Sequence, residues 1–228
     1  LYSTHERFHP TYKPLYPTQI FRGDPRMSKM SLSTRMILVL TLITVLSGGI
    51  LAGWYSITKP KIAFHRQEAL KAAIGDVLPA HDTYSSEETE FGTIYIATRD
   101  SSDQPVGVAF MAMGSGFQGE LRIMVGLSPE MTQLTGIKVL EQIETPGLGT
   151  KIVVDPSNKK DPYWFPAQFR GVHVSPELVV VKNAKPTQNN EVQGITGATI
   201  SSKAVTDILN NQIANIKTVW TSRGGPES

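Results

Sequence analysis

Residues 36–57 read MILVLTLITVLSGGILAGWYSI, a run without a charged side chain whose polar groups before Trp54 and Tyr55 are all hydroxyls. As a helix it extends about 33 Å, enough to cross a hydrocarbon core of about 30 Å, and the Trp-Tyr pair falls where interfacial aromatics sit. A fold that leaves this run in water is excluded. It is longer than an ordinary signal-peptide core and no Ala-x-Ala site follows it, so we expect an uncleaved single-pass anchor. Arg22, Arg26, Lys29 and Arg35 precede it, while Lys59, Lys61, Arg66 and Lys71 follow. The basic flanks are balanced, and charge alone does not orient the segment.

The anchor sets the divisions of the rest. Residues 1–35 are expected as an N-terminal extension, disordered or cytoplasmic. Residues 1–26 are rich in Pro, Tyr and His without a helical or strand period, and Met27-Ser-Lys-Met30 reads like a start. Residues 58–63 are expected as a linker, 64–220 as one domain and 221–228 as a tail. A formal charge of +2 with no long Lys/Arg run excludes the footprint of a nucleic-acid partner. The absence of cysteine removes disulfides, thiolate nucleophiles, iron-sulfur ligation and lipoprotein attachment within the chain. Any redox chemistry must then come from a non-sulfur cofactor. Five histidines, at 5, 9, 65, 81 and 173, lack ligand spacing, and no catalytic metal is expected.

Within the domain, Ala69, Leu70, Ala73, Ile74, Val77 and Leu78 have helical spacing ended by Pro79. The period then changes. Segments 91–97, 106–113, 121–127 and 134–141 are short, rich in Val, Ile, Phe and Met, and separated by turn residues, which predicts successive antiparallel strands. Runs at 168–174 and 178–182 are expected to extend that sheet, and 155–166 to form a polar loop carrying Tyr163, Trp164 and Phe165. Val205, Ile208, Leu209, Ile213, Ile216 and Val219 form the apolar stripe of a last helix. The expected class is α+β, with helices packed on a mainly antiparallel sheet.

Three segments carry candidate chemistry. Residues 194–202, Gly-Ile-Thr-Gly-Ala-Thr-Ile-Ser-Ser, lead into the last helix. There Thr199 follows two small residues and precedes a helix N-terminus, where free N–H groups and the dipole favour a phosphate. An ordinary N-cap is the alternative. Glu144-Thr145-Pro146-Gly147-Leu148-Gly149 is a rigid turn whose second glycine lets backbone approach a flat ligand, or is only a turn. Gly114-Ser115-Gly116-Phe117-Gln118-Gly119 matches a dinucleotide fingerprint in spacing, but a strand follows where that fingerprint needs a helix. We read it as a hairpin.

The Thr196-Gly197-Ala198-Thr199 block resembles the Ser/Thr-Gly-Ala-Thr signature of FMN-binding domains, in which flavin mononucleotide is joined through its phosphate to the last threonine. Gly116 to Gly119 with Met124 to Leu127, Gly136 to Leu140 and Glu144 to Gly149 resemble the same family. The likeness is to the G subunit of Rnf-type ferredoxin:NAD oxidoreductase complexes and, less closely, to the C subunit of the sodium-translocating NADH:quinone reductase. Gln193 stands where that family usually has an acidic residue, and Gln142 near a common histidine.

The resemblance implies FMN attached to Thr199 as a phosphoester, with Thr196, Gly197, Ala198 and Ser201 around it. It implies that Glu144, Thr145, Gly147, Leu148 and Gly149 form a wall of the flavin site. It further implies a flavin transferase for maturation, membrane and peripheral partner subunits, and a domain outside the cytoplasmic membrane. In that setting the subunit relays electrons, without catalysis of its own, in an oxidoreductase complex that moves Na⁺ or H⁺. The C-type subunit, a regulatory covalent-FMN domain and a cofactor-free anchored assembly module remain open readings.

Overall fold

The computed structural model describes residues 30–99, 104–182 and 184–223. Most of the extension expected at 1–35 and of the tail at 221–228 lies outside the described residues. The chain divides into Leu1–Lys59 and Pro60–Ser228. The division falls within one helix, α1, Leu32–Val77.

In the first unit the apolar side chains of α1 are exposed, as a lipid-facing span requires, and the helix is long and apolar enough to cross a membrane. The hydroxyls of Thr44 and Ser56 donate to the carbonyls of Leu40 and Ala52, and that of Thr58 to Trp54. No polar hydrogen of these side chains therefore has to find water in hydrocarbon. The segment 58–63, expected as a linker, is helical. Pro60 lies inside α1 and removes one bond of the ladder without ending it.

In the second unit five antiparallel strands lie in sequence order: β1 Thr83–Thr89, β2 Gly92–Thr98, β3 Pro105–Ser115, β4 Glu120–Leu127 and β5 Leu134–Glu141. The last four answer to the segments read from apolar composition. β1 reads TYSSEET and has no apolar period to announce it. It pairs along its whole length with β2, and Tyr84 meets Tyr95 edge to face at 5.9 Å.

Beyond the exposed edge strand β1, both faces of the sheet are covered. Alternating residues of β3 separate two cores: Val108, Phe110 and Ala112 face one, Ala109 the other. On the second face the end of α1 brings Ala73, Ile74 and Val77, with Leu78 just after it, against Ala97, Ala109 and Met124. The approach is close enough that a Cβ on Gly126 would collide with the Val77 carbonyl, to which the Thr135 hydroxyl donates at 2.6 Å. The first face is closed by α2, Trp164–Ala167, and α3, Thr199–Ser222. Of the expected stripe on α3, Val205, Ile208, Leu209, Ile213 and Ile216 are buried; Val219 is only half-buried and Trp220 takes the last inward place.

The structure corrects the expected extension of the sheet. Residues 168–174 form no strand. Phe169, Val172 and Val174 are apolar because they are buried as an irregular segment, held to β5 through Leu134 N–H to the Val172 carbonyl and Gly171 N–H to the Leu134 carbonyl. In the run at 178–182, β6, Val179–Val181, pairs in parallel with β7, Glu191–Gln193, in a separate two-stranded sheet. Two side chains act as further strand neighbours. The Asn210 amide of α3 accepts from Leu178 N–H and donates to its carbonyl, and the Gln168 amide does the same for Gln193. Such reciprocal pairs substitute for a ladder too short to stand alone.

Candidate functional site

Gly194 continues from β7, and its N–H donates to the Val181 carbonyl at the end of β6. The chain then turns through Gly197, whose φ of +83° is a conformation that favours glycine. α3 starts at Thr199 with Ala198 in the capping position and no side-chain cap. The capping alternative for Thr199 is thus not what the geometry shows. Ser202 instead ties the preceding loop to the first turn: its hydroxyl accepts from Ile195 N–H and donates to the Ala198 carbonyl, both at 3.0 Å. Thr199 is half-buried, and among the described residues its hydroxyl has no hydrogen-bond partner.

The second segment is anchored by Glu144, only 4% exposed. One carboxylate oxygen accepts from the N–H groups of Phe117 and Gln118, at 2.7 and 3.2 Å, and the other from the Ser201 hydroxyl at 2.7 Å. This single side chain joins the β3–β4 hairpin, the Glu144–Gly149 turn and the first turn of α3. A buried carboxylate is tolerated here because three donors replace its water. Its backbone N–H is in turn taken by the Gln142 side-chain oxygen at 2.6 Å. Beyond it Gly147 has φ +76°, and the Thr145 carbonyl receives Leu148 N–H at 3.1 Å. Gly149 opens a short 3₁₀ turn, Gly149–Ile152, and has no room for a side chain: a Cβ would stand 2.7 Å from the Glu144 Cβ and 2.9 Å from the Ser201 oxygen.

These segments enclose a cleft of about 440 Å³. Of the residues singled out from sequence, Glu144, Thr145, Leu148, Gly149, Thr196, Gly197, Ala198, Thr199 and Ser201 line it; Gly147 shapes the turn without lining it. Glu144 and Ser201 bond each other, so they brace the floor and leave Thr199 as the half-buried hydroxyl at the helix entrance. Phe117, Ile200 and Lys182 also line the cleft. Sequence reasoning gave none of these three a place in the site: the approach of Phe117 and Lys182 depends on the hairpin and on the β6–β7 pairing, while Ile200, next to Thr199, lay within the motif and was passed over for its hydroxyl-bearing neighbours. Phe117, Leu148 and Ile200 are 58%, 49% and 62% exposed, an apolar rim of the kind that marks a ligand surface. The Gly116 N–H bond to the Gly119 carbonyl closes a hairpin, and β4 follows it. The glycine run is therefore no dinucleotide fingerprint. A larger cleft of about 540 Å³ beside β5 and Arg170 shares none of these residues.

Behind the Thr-Gly-Ala-Thr segment, the 3₁₀ turn is fixed through Asp155. The Ser157 hydroxyl donates to its carboxylate, Trp164 Nε1 donates at 3.1 Å, and Lys151 lies 3.3 Å away. Trp164 is accordingly a structural donor. The Ser157 hydrogen bond first, then those of Trp164 and Lys151, outweigh burial and hold the Asp155 carboxyl down at about 2, against 3.8 ordinarily. A depressed carboxyl stabilises the fold above its unfolded value, and that contribution is lost as pH falls through the folded one. The stability gap between the wild type and Asp155→Asn, measured by chemical denaturation, is expected to be constant above about pH 5 and to narrow between about pH 4 and 2. A gap independent of pH would remove this account.

Comparison with known proteins bears on the same segments. The FMN-binding domain model matches residues 116–214. The G subunit of the Na(+)-translocating ferredoxin:NAD(+) oxidoreductase complex of Acetobacterium woodii is 36% identical over 157 residues, covering 65% of this chain and 70% of that one. The G subunit of the ion-translocating oxidoreductase complex of Methanosarcina acetivorans is 28% identical over 194 residues, 82% of this chain and 96% of its relative. Among solved structures, Shewanella oneidensis NqrC matches with a TM-score of 0.45 at 19% identity, over 62% of this chain and 72% of that one. The chain belongs to the family of G subunits of ion-translocating oxidoreductase complexes and contains an FMN-binding domain.

Proposed function

We propose that this protein is a membrane-anchored electron-transfer subunit that carries FMN covalently on Thr199. The observation that carries the reading is the half-buried, unpartnered Thr199 hydroxyl at the start of a long helix, inside the segment that matches an FMN-binding domain. The cleft fits such a group in three respects. Its volume is in the range of cofactor sites, its apolar rim suits a flat ring system, and free N–H groups at the entrance of α3 suit a phosphate. When bound, the isoalloxazine supplies reversible one- and two-electron transfer.

The chain's own contribution is attachment and orientation. Thr199 Oγ would attack the flavin-side phosphorus of a flavin dinucleotide donor and lose its proton as the P–O–P bond breaks and the nucleoside monophosphate leaves, catalysed by a separate flavin transferase. Gly197 turns the chain so that the threonine faces the cleft, and Glu144 fixes the hairpin and helix against each other. Because Ser201 and Ser202 already use their hydroxyls within the fold, attachment falls to Thr199 rather than to them. We place the protein among membrane and peripheral partner subunits that couple ferredoxin and NAD redox to movement of Na⁺ or H⁺, with residues 62–228 outside the cytoplasmic membrane. Copurification with those partners distinguishes this assignment from a C-type quinone-reductase subunit.

The test is peptide mapping of protein produced beside an active transferase. The tryptic peptide spanning the motif should gain the mass of FMN less water, with fragmentation placing it on Thr199. An unmodified peptide, or flavin on Thr196, overturns the reading. The topology is checked separately: protease added to intact spheroplasts should digest the second unit, and full protection reverses the orientation.

A further inference from the structure

Lys182 follows β6 directly, and no sequence motif draws attention to it. The parallel pairing of Val181 with Gln193 carries it alongside the start of the segment leading to Thr199. That placement is fixed from two sides: Gly194 N–H donates to the Val181 carbonyl at 3.0 Å, and Asn210, on the same helix as Thr199, grips Leu178 at the other end of β6. Among the described residues, Lys182 is the cation in the lining of the cleft, and its ammonium has no ion pair or hydrogen bond there. The neighbouring lysines differ. Lys151 is engaged with Asp155 and Ser157, and Lys203 faces another cleft.

The floor of the same cleft holds the Glu144 carboxylate. A phosphate joined to Thr199 would feel that buried negative charge, and the uncapped N-terminus of α3 supplies only partial positive charge against it. The exposed Lys182 side chain, at the fixed end of β6, is the full positive charge available to complete the balance. We infer that Lys182 is a positioning residue for the flavin phosphate, pairing with its anionic oxygen during and after attachment to Thr199. The inference rests on the covalent-FMN reading above and adds a charge partner to it.

The experiment uses the full-length protein in a host expressing a flavin transferase, with Lys182→Gln, Lys182→Arg and Lys182→Glu beside the wild type. Initial rates of covalent flavin incorporation are read from in-gel fluorescence, and the phosphodiester of fully loaded protein by phosphorus NMR. Lys182→Gln should load about three- to fivefold more slowly, Lys182→Glu more slowly still, and Lys182→Arg near the wild-type rate, the scale of a partly exposed charge pair. The phosphorus resonance should move in Lys182→Gln and stay in Lys182→Arg. Equal loading of Lys182→Gln and wild type overturns the inference. So does slower loading with an unmoved resonance, which would assign the lysine to contact with the transferase. Wild-type protein without flavin on Thr199 would instead sink the covalent-FMN reading itself.

Discussion

Replacing Thr199 by alanine is expected to abolish the flavin that survives denaturation while leaving the fold as it is. The geometry makes the two outcomes separable. A threonine N-cap contributes about 1 kcal/mol, but Thr199 lies one residue inside the helix, its hydroxyl bonds nothing among the described residues, and the turn is held by Ser202. The melting temperature of the unloaded variant should therefore match that of unloaded wild type within about 2 °C. Thr199→Ser retains the nucleophilic oxygen and should load partially. Flavin fluorescence persisting in a denaturing gel of Thr199→Ala would move the attachment point elsewhere. A large loss of stability without the flavin would mean that the threonine serves the fold.

Gly149→Ala should do the reverse, damaging the site by way of the fold. Its Cβ would stand 2.5 Å from a Glu144 carboxylate oxygen, 2.7 Å from the Glu144 Cβ and 2.9 Å from the Ser201 oxygen. The Cβ of Glu144 belongs to the stem of the side chain and cannot swing aside. Relief would require moving the carboxylate off Phe117, Gln118 and Ser201, leaving buried polar groups without partners at about 1–3 kcal/mol, in addition to the strain of overpacking. We expect about 3 kcal/mol of destabilisation by denaturant unfolding, with severely reduced flavin loading. Gly147→Ala is the contrast. Among the described residues no atom lies within 4 Å of its Cβ, so only the positive φ is strained, at about 1–2 kcal/mol. Equal stability of the two variants would mean that Glu144 does not bind these segments together.

What sequence could reveal here followed the range of the interactions. β2 to β5 were legible because each carries its own apolar composition, and α3 because its inward residues repeat at helical spacing. β1 was not, since a strand that buries nothing has no reason to be apolar; its place is set by pairing with β2. The run at 168–174 misled for the opposite reason. Phe169, Val172 and Val174 are as apolar as a strand, but a buried irregular segment has the same need for apolar side chains. β7 is three residues long and is supported by Gln168, 25 residues from Gln193 along the chain, which no local pattern can report. The candidate site divides the same way. The Thr-Gly-Ala-Thr segment and the Glu144–Gly149 turn were readable as contiguous words, whereas Phe117 and Lys182 enter the cleft only through strand pairing. Glu144 was readable as part of a wall of the cleft, but its bonds to Phe117, Gln118 and Ser201, which make it the tie beneath that wall, were not.

That tie has a consequence for the order of events in biogenesis. The groups that converge on Glu144 come from positions 27, 26 and 57 residues away along the chain. A nascent or unfolded chain displays the Thr-Gly-Ala-Thr letters but not the surface around them, because the hairpin, the turn and the helix entrance come together only when the domain has formed. A modifying enzyme that reads this surface must act on a finished fold, in whichever compartment folding takes place. On the covalent-FMN reading proposed above, export of a domain that travels unfolded would come before flavin attachment, and a transferase that reads this surface would work on the side of the membrane where the domain ends up.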